Sequence, residues 1–375
     1  MDDYRIALYY AYIELTPSEI QSHMNIQKQI CDELNLKGRI RISKEGVNGV
    51  LSGELISLQK YEELISKNIQ QIIVINNNSN NKSTIIALDV KYCQLRKELP
   101  IQDQLFDRLL IKETKTVISL FDQSFEKKKE SKKDRYRHEK KSIEIKSSPP
   151  YLDLQSLHNA VMEESLKPAR HLSANEWNKK LDEAGLSSSS NSNSSSALLL
   201  DVRNVYEMRV GHFVHPTTPT LLTNTRKYSD LPQLIASNKE IKEREQIFMY
   251  CTGGVRCERV SMLVRELYPD KQIYQLRGGI QKYIQTFKNE NNSTTSTNSY
   301  FAGKNFVFDP RRTDPIHFGE TIGRCLVCDL PHDDYDNGHA PSENKEARCN
   351  KCRMLVLICN DCRPKYRCHN EKEKE

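Results

Sequence analysis

The chain has 375 residues, 37% hydrophobic and 28% charged, with a formal net charge of +6. Its length predicts two to three globular cores joined by polar connectors, and no run approaches the roughly 18 apolar residues that a membrane span needs. The opening MDDYRIALYYAYIELT starts acidic and lacks the basic segment and unbroken apolar stretch of a secretory signal, so a cytoplasmic, reducing setting is expected, in which the 11 cysteines serve metal binding or catalysis rather than disulfides.

RIALYYAYIEL reads as a strand and TPSEIQSHMNIQKQICDELNL as a helix opened by Thr-Pro-Ser. KGRIRIS and GVNGVLSGE follow as strands, LISLQKYEELISKN as a helix, QQIIVIN as an Ile/Val strand and, beyond an asparagine-rich insertion, IIALDVKYCQL. The order strand, helix, strand, strand, helix, strand predicts a split βαβ, ferredoxin-like α+β domain over residues 1–122. Residues 123–168 read as a basic hinge, whose run FEKKKESKKDRYRHEKKSIEIKSSPP, dense in lysine and arginine with acids interspersed, is closed by Pro149 and Pro150. Such a run can also hold phosphates.

Beyond the hinge, Ser173 followed by Glu176 is a capping-box pattern that opens the helix LSANEWNKKLDEAG. ALLLDVR, EQIFMYC and QIYQL read as strands, CERVSMLVRELYP and GGIQKYIQTF as helices. This alternation predicts an α/β domain over 169–288, a mostly parallel sheet with helices on both faces. A serine-rich tract from Ser187 to Ser196 interrupts it, residues 289–320 read as a polar linker and connecting segment, and 321–375 are a cysteine-rich tail.

In an open parallel sheet, ligands bind beyond the carboxyl ends of the strands. Cys251 leaves the strand IFMY at that place, and CTGGVR then offers consecutive backbone N–H groups, two glycines free to take positive φ, and the start of a helix. These features favour an anion, either the thiolate or a negative group carried on its sulfur, with Arg256 as a fixed cation on the rim. Cys257, in the first helical turn, is placed either to pack or to resolve an oxidised or persulfidated Cys251.

The tail carries three C-x-x-C pairs. Cys325/Cys328 and Cys349/Cys352 are separated by twenty residues, a spacing that suits a four-thiolate structural zinc site. Cys359/Cys362 form a third knuckle after the strand-like RMLVLI, and Cys368 and His369 can complete a second site. Spacing leaves the pairing open, because Cys325 and Cys328 can equally close with Cys359 and Cys362.

The segments LLLDVRNVYEMRVGHF, CTGGVR after IFMY, and YQLRGGIQKYI together resemble a rhodanese domain. That resemblance implies Cys251 as the nucleophile, Thr252, Gly253, Gly254, Val255 and Arg256 as the anion-cradling loop, and Asp201, Arg203, Glu207 and His212 as a motif that is mostly structural. LNLKGRIRISKEGVNGVLSGE, LDVKYC, the CTGGVRCE form of the loop and FAGKNFVFDPRR extend the likeness to most of the chain, which is similar to the tRNA uridine hydroxylase family. The family resemblance implies a ferredoxin-like (acylphosphatase-like) domain, a rhodanese domain and a zinc-ribbon-like tail. It also implies hydroxylation of wobble uridine to 5-hydroxyuridine with molecular oxygen as co-substrate.

On this reading the partner is tRNA, with no DNA and no membrane. The basic hinge, KGRIRISKEG, DPRR and the tail arginines are the candidate RNA contacts, and Tyr250 and Tyr274 are candidate platforms for a splayed base or else core residues. Two rival functions use the same residues. One is a sulfurtransferase that takes a persulfide sulfur from a small donor such as thiosulfate. The other is a non-catalytic zinc-dependent adaptor, against which the intact reactive loop argues.

Overall fold

The computed structural model describes residues 3–78, 86–97, 99–121, 157, 161, 167–186, 196–290, 299–318, 321–335, 348–349 and 353–366. The basic hinge, apart from Leu157, Val161, Lys167 and Pro168, lies outside them, as do most of the asparagine-rich insertion, the serine-rich tract apart from Ser196, and residues 291–298 of the polar linker.

In the N-terminal domain, β1 (Tyr4–Tyr12), β2 (Lys37–Ser43), β3 (Gly46–Glu54), β4 (Ile86–Cys93) and β5 (Leu109–Glu113) form one sheet in the order β4-β1-β3-β2-β5. The first four strands have the ferredoxin-like order, and β5 adds to the edge parallel to β2. Helix α1 (Pro17–Glu33) starts at a reciprocal cap in which Glu19 N–H donates to Thr16 Oγ1 and Thr16 N–H donates to Glu19. Such a cap stabilises a helix by about 1 kcal/mol. Helix α2 (Leu55–Asn78) joins α1 on one face of the sheet, over Ala7, Tyr9, Ile40, Ile42, Val47 and Leu51.

QQIIVIN, expected as a strand, instead continues α2. Leu58, Tyr61, Ile65, Ile69 and Ile72 are all buried at helical spacing, so one apolar seam runs through the helix into that segment. The β-branched composition is overridden by the face it has to cover.

The second domain is built on a wholly parallel sheet of order β6-β11-β10-β7-β9: β6 (Arg170–Leu172), β7 (Ala197–Asp201), β9 (Thr220–Leu222), β10 (Gln246–Tyr250) and β11 (Gln272–Leu276). Buried side chains on each side of it form a separate core. Helix α3 (Ala174–Leu186), capped by Ser173 and Glu176, puts Trp177 into one of them.

Residues 301–318, read from sequence as a connecting segment, contain strands β12 (Phe301–Phe306) and β13 (Thr313–Phe318). β12 pairs with β8 (Gly211–Phe213), so this hairpin belongs to the second domain. Phe301 meets Phe213 edge to face, and the Phe213 ring also meets Trp177 and Tyr250. Burial of these aromatics accounts for strands where polar flanks suggest a linker.

The tail docks on this unit through Leu355 and Leu357, which pack with Val210, Phe306 and Tyr335, while Val356 and Ile358 pack with Cys325, Cys349 and Cys362. This extended alternation serves two cores at once. Among the described residues no helix is long and apolar enough to cross a membrane.

Candidate active site and metal centre

Cys251 follows β10 and precedes helix α4 (Val255–Leu267), the position that the parallel sheet reserves for ligands. The loop is held from outside by its carbonyls: Ile280 N–H donates to Cys251 O and Gln281 N–H to Thr252 O, both at 2.9 Å. Gly279 makes this approach possible, with φ +64 and space for a Cβ only 2.5 Å from Cys251 O. With the carbonyls turned outward, amides turn inward, and Gly254 N–H donates to Cys251 Sγ at 3.2 Å. Gly254 itself has φ +98.

The Cys251 thiol is fully buried, and its pKa is nevertheless lowered from 9.0 to about 6. Burial raises it, but this is outweighed by a hydrogen bond from the Cys257 thiol, the charge of Arg256 and the backbone N–H groups of Cys257 and Arg256. Cys257 is the complementary partner. Burial and its hydrogen bond to Cys251 push its own thiol well up, so it stays protonated and donates. Val255 opens the helix and packs at the edge of a small cluster of Tyr10, Tyr12 and Val117.

Arg256 does not stand free on the rim. Its guanidinium grips Glu207 through Nη1 (2.7 Å) and Nη2 (2.6 Å), and Nη2 also donates to Thr252 Oγ1 at 3.0 Å. Thr252 Oγ1 donates in turn to Glu207 Oε1 at 3.0 Å. Burial opposes the Glu207 charge, but Arg256 and Arg203 hold its carboxyl below the usual range. Arg256 thus acts on Cys251 as a fixed charge near the loop, positioned by a bidentate pair.

The other three motif residues support the turn. Arg203 binds Asp201 through Nε (2.9 Å) and Nη2 (2.7 Å) and donates from Nη2 to Gly211 O at 2.6 Å. His212 Nδ1 lies 3.1 Å from Met208 O, and burial lowers its pKa. Tyr250 and Tyr274 are core residues in the Trp177 cluster rather than platforms for a base. Arg311 of DPRR is fully buried, paired with Asp309 and donating to Gln94 O, which removes it from the RNA-contact candidates.

Sequence reading missed the groups that the N-terminal sheet brings to the loop. A Cβ on Gly253 would lie 2.7 Å from Leu8 Cδ2, and one on Gly254 2.8 Å from the Tyr10 hydroxyl. Tyr10 donates to Glu258 Oε1 at 2.9 Å and Tyr12 to Val255 O at 3.1 Å, so β1 is bolted to the first turn of α4. Lys91 on β4 is buried, paired with Asp89 Oδ2 at 2.5 Å and 4.4 Å from the Tyr10 ring centroid. Burial lowers its pKa, against the charges of Asp89 and Cys251, which raise it. The alternation in LDVKYC placed Asp89, Lys91 and Cys93 on one face, a signal readable from sequence only once the covered face is known.

In the tail, Cys325, Cys328, Cys359 and Cys362 converge, with ligand atoms all within 4.8 Å of one another. Of the pairings that spacing left open, this is the one realised among the described residues. Cys349 packs in the same small core, and Cys352, Cys368 and His369 lie outside the described residues. The Cys325 turn is closed by Cys325 N–H to Leu330 O (2.9 Å) and Asp329 N–H to Cys325 O (3.0 Å), with Asp329 at φ 60. The Cys349 turn repeats that pattern with Met354 O (2.9 Å) and Arg353 N–H (2.9 Å), and Arg353 at φ 59.

Comparison with known proteins agrees with this architecture. Residues 4–117 match the UPF0176 acylphosphatase-like domain, and residues 302–372 match the Rhodanase C-terminal model. The chain is 30% identical to Rhodanese-like domain-containing protein 6 of Arabidopsis thaliana over 97% of its own length and 51% of that protein. It is 27% identical to the tRNA uridine(34) hydroxylase of Lactococcus lactis subsp. lactis, over 96% of this chain and 89% of the other. The protein of the same name from Aster yellows witches'-broom phytoplasma is also 27% identical, over 96% and 92%. The chain thus spans about half the length of the plant relative and about nine-tenths of the bacterial ones.

Proposed function

We propose that this chain, which is 27% identical to bacterial tRNA uridine(34) hydroxylases over 96% of its length, is a cytoplasmic tRNA-modifying enzyme of that family that converts wobble uridine to 5-hydroxyuridine with molecular oxygen and a two-electron reductant. The reactive group is the Cys251 thiolate. The observation that carries this reading is a buried sulfur whose pKa is lowered to about 6 by donors from its own loop. A thiolate so held is ionised near neutral pH and shielded from bulk water until substrate arrives. Arg256, oriented by Glu207 and Thr252, supplies the fixed positive charge, and Cys257 supplies a proton donor that stays with the sulfur.

The tail thiolates suit zinc. A tetrahedral ion with bonds of about 2.3 Å sets sulfurs about 3.8 Å apart, and Cys328 Sγ lies 3.9 Å from Cys359 Sγ. Zinc there would supply folding energy to the tail and leaves no open position for chemistry.

The test is nucleoside mass spectrometry of tRNA from cells lacking the protein, complemented with wild-type or Cys251→Ser chain. Wild type restores 5-hydroxyuridine-derived nucleosides and the serine variant does not. Unchanged nucleosides in the deletion, together with thiosulfate:cyanide turnover abolished by Cys251→Ser, would instead make the protein a sulfurtransferase.

A further inference from the structure

The N-terminal sheet buries one face under α1 and α2 and turns the other toward the second domain. Register defines that second face row by row. Lys91 on β4, Leu8 on β1, Val50 on β3, Arg39 on β2 and Leu110 on β5 lie opposite one another in sequence across the sheet. The next row is Asp89, Tyr10, Asn48, Arg41 and Lys112. The β4 and β1 ends of both rows are covered, since Leu8 meets Gly253 and Tyr10 meets Gly254. Val50 and Asn48 are half-buried, and Arg39, Arg41, Leu110 and Lys112 are exposed.

The covered half therefore ends at the Cys251 loop, and the open half begins two strands away, roughly 10 Å at the usual strand spacing. Its charge is one-sided. Lys37 extends the β2 row, while the acids that the described strands place on this face are Asp89, bound to Lys91, and Glu54, at the far end of β3; Glu45 in the β2–β3 turn is paired with Arg259 at 3.3 Å. The Arg39 guanidinium lies over the Phe106 ring, 5.4 Å from its centroid, a cation–π contact that tethers it to this face. Apolar Val50 and Leu110 flank Arg39 on the neighbouring strands. Guanidinium planes, apolar patches and point charges on a sheet face suit a single strand with splayed bases better than a closed duplex.

We propose that the open half of this face, presented by Arg39, Arg41 and Lys112, seats the phosphates of a single-stranded RNA loop and sets its target base beside the Cys251 loop. The proposal rests on the tRNA-modifying reading above and adds the surface and the mode of recognition to it.

The experiment measures binding of an unmodified tRNA transcript to the full chain across a salt series, with a duplex DNA of matched length as control. In Arg39→Ala/Arg41→Ala the affinity is expected to fall at least about tenfold. The slope of log K against log salt becomes shallower by about 1.4, at about 0.7 for each single-strand phosphate that the variant no longer neutralises. Arg39→Lys/Arg41→Lys retains most of the affinity, and Lys112→Glu, at an exposed edge position, weakens binding without reaching the fold. Wild type that prefers tRNA, with variants that bind equally well and with the same slope, overturns this face and leaves the tRNA reading standing. Wild type that binds duplex DNA as tightly as tRNA, or binds neither, overturns both.

Discussion

Burial and ionisation oppose one another at Cys251, and the balance is set by donors within six residues of it in sequence. A fully buried thiol would titrate high, as Cys31 and Cys93 do, both pushed up to about 12. At Cys251 the Cys257 thiol, Arg256 and loop amides reverse that direction to about 6. The thiolate absorbance difference between wild type and Cys251→Ser should therefore titrate with a midpoint near pH 6, and Cys257→Ala should move it upward. A midpoint unchanged by the loss of Cys257 would show that the second thiol only packs. Because the folded pKa lies below the unfolded one, the unfolded chain binds the extra proton between about pH 6 and 9, and stability rises with pH there. The melting-temperature advantage of wild type over Cys251→Ser should grow across that window and vanish below it. This local chemistry was legible in CTGGVRC. Glu207, which positions Arg256 from 49 residues away, was placed by resemblance to the motif rather than by anything near the loop. Glu207→Gln breaks a buried ion pair and should cost about 3 kcal/mol in denaturant unfolding, a size that an exposed pair would not reach.

At the scale of elements, the loop depends on a helix that does not contain it. The amides of Ile280 and Gln281 at the start of α5 (Gly279–Glu290) fix the carbonyls of Cys251 and Thr252, and only glycine at 279 lets the two backbones come so close. Gly279→Ala should cost about 1–3 kcal/mol through the strained positive φ and should reduce product formation far more than the stability loss alone explains. Equal proportional losses would mean that the contact is purely structural. The parallel sheet and its helices were readable because short apolar strands and amphipathic helices alternate without ambiguity. QQIIVIN was not, since an Ile/Val run has no period of its own and takes its conformation from the seam begun at Leu58. The β12–β8 pairing was hidden for a different reason. Gly211 and Gly303 allow the two backbones to approach, and nothing in either short strand names its partner 90 residues away.

Across the whole molecule, three units converge on one loop. The N-terminal sheet covers it through Leu8 and Tyr10, and the tail reaches it through Phe306, which packs with Leu355 and Leu357 while its carbonyl oxygen lies 3.4 Å from Thr252 Oγ1. The order of the units was legible, but their mutual packing was not, because it joins surfaces that are each ordinary in sequence. A metal held by Cys325, Cys328, Cys359 and Cys362 would bear on the Cys251 loop through packing alone. With the thiolates unligated, the knuckles lose their common anchor, the strip from Met354 to Ile358 loosens, and Leu355 and Leu357 withdraw from Val210, Phe306 and Tyr335. Chelation is therefore expected to lower the melting temperature of the whole chain and reduce product formation together, and readdition of zinc should restore both. Cys359→Ser should lower the zinc content measured by mass spectrometry and reproduce the effect without chelator, while the Cys251 thiolate titration stays near its wild-type midpoint. Zinc content equal in wild type and Cys359→Ser would remove Cys359 from the ligand set, and activity that survives chelation unchanged would sever the tail from the loop.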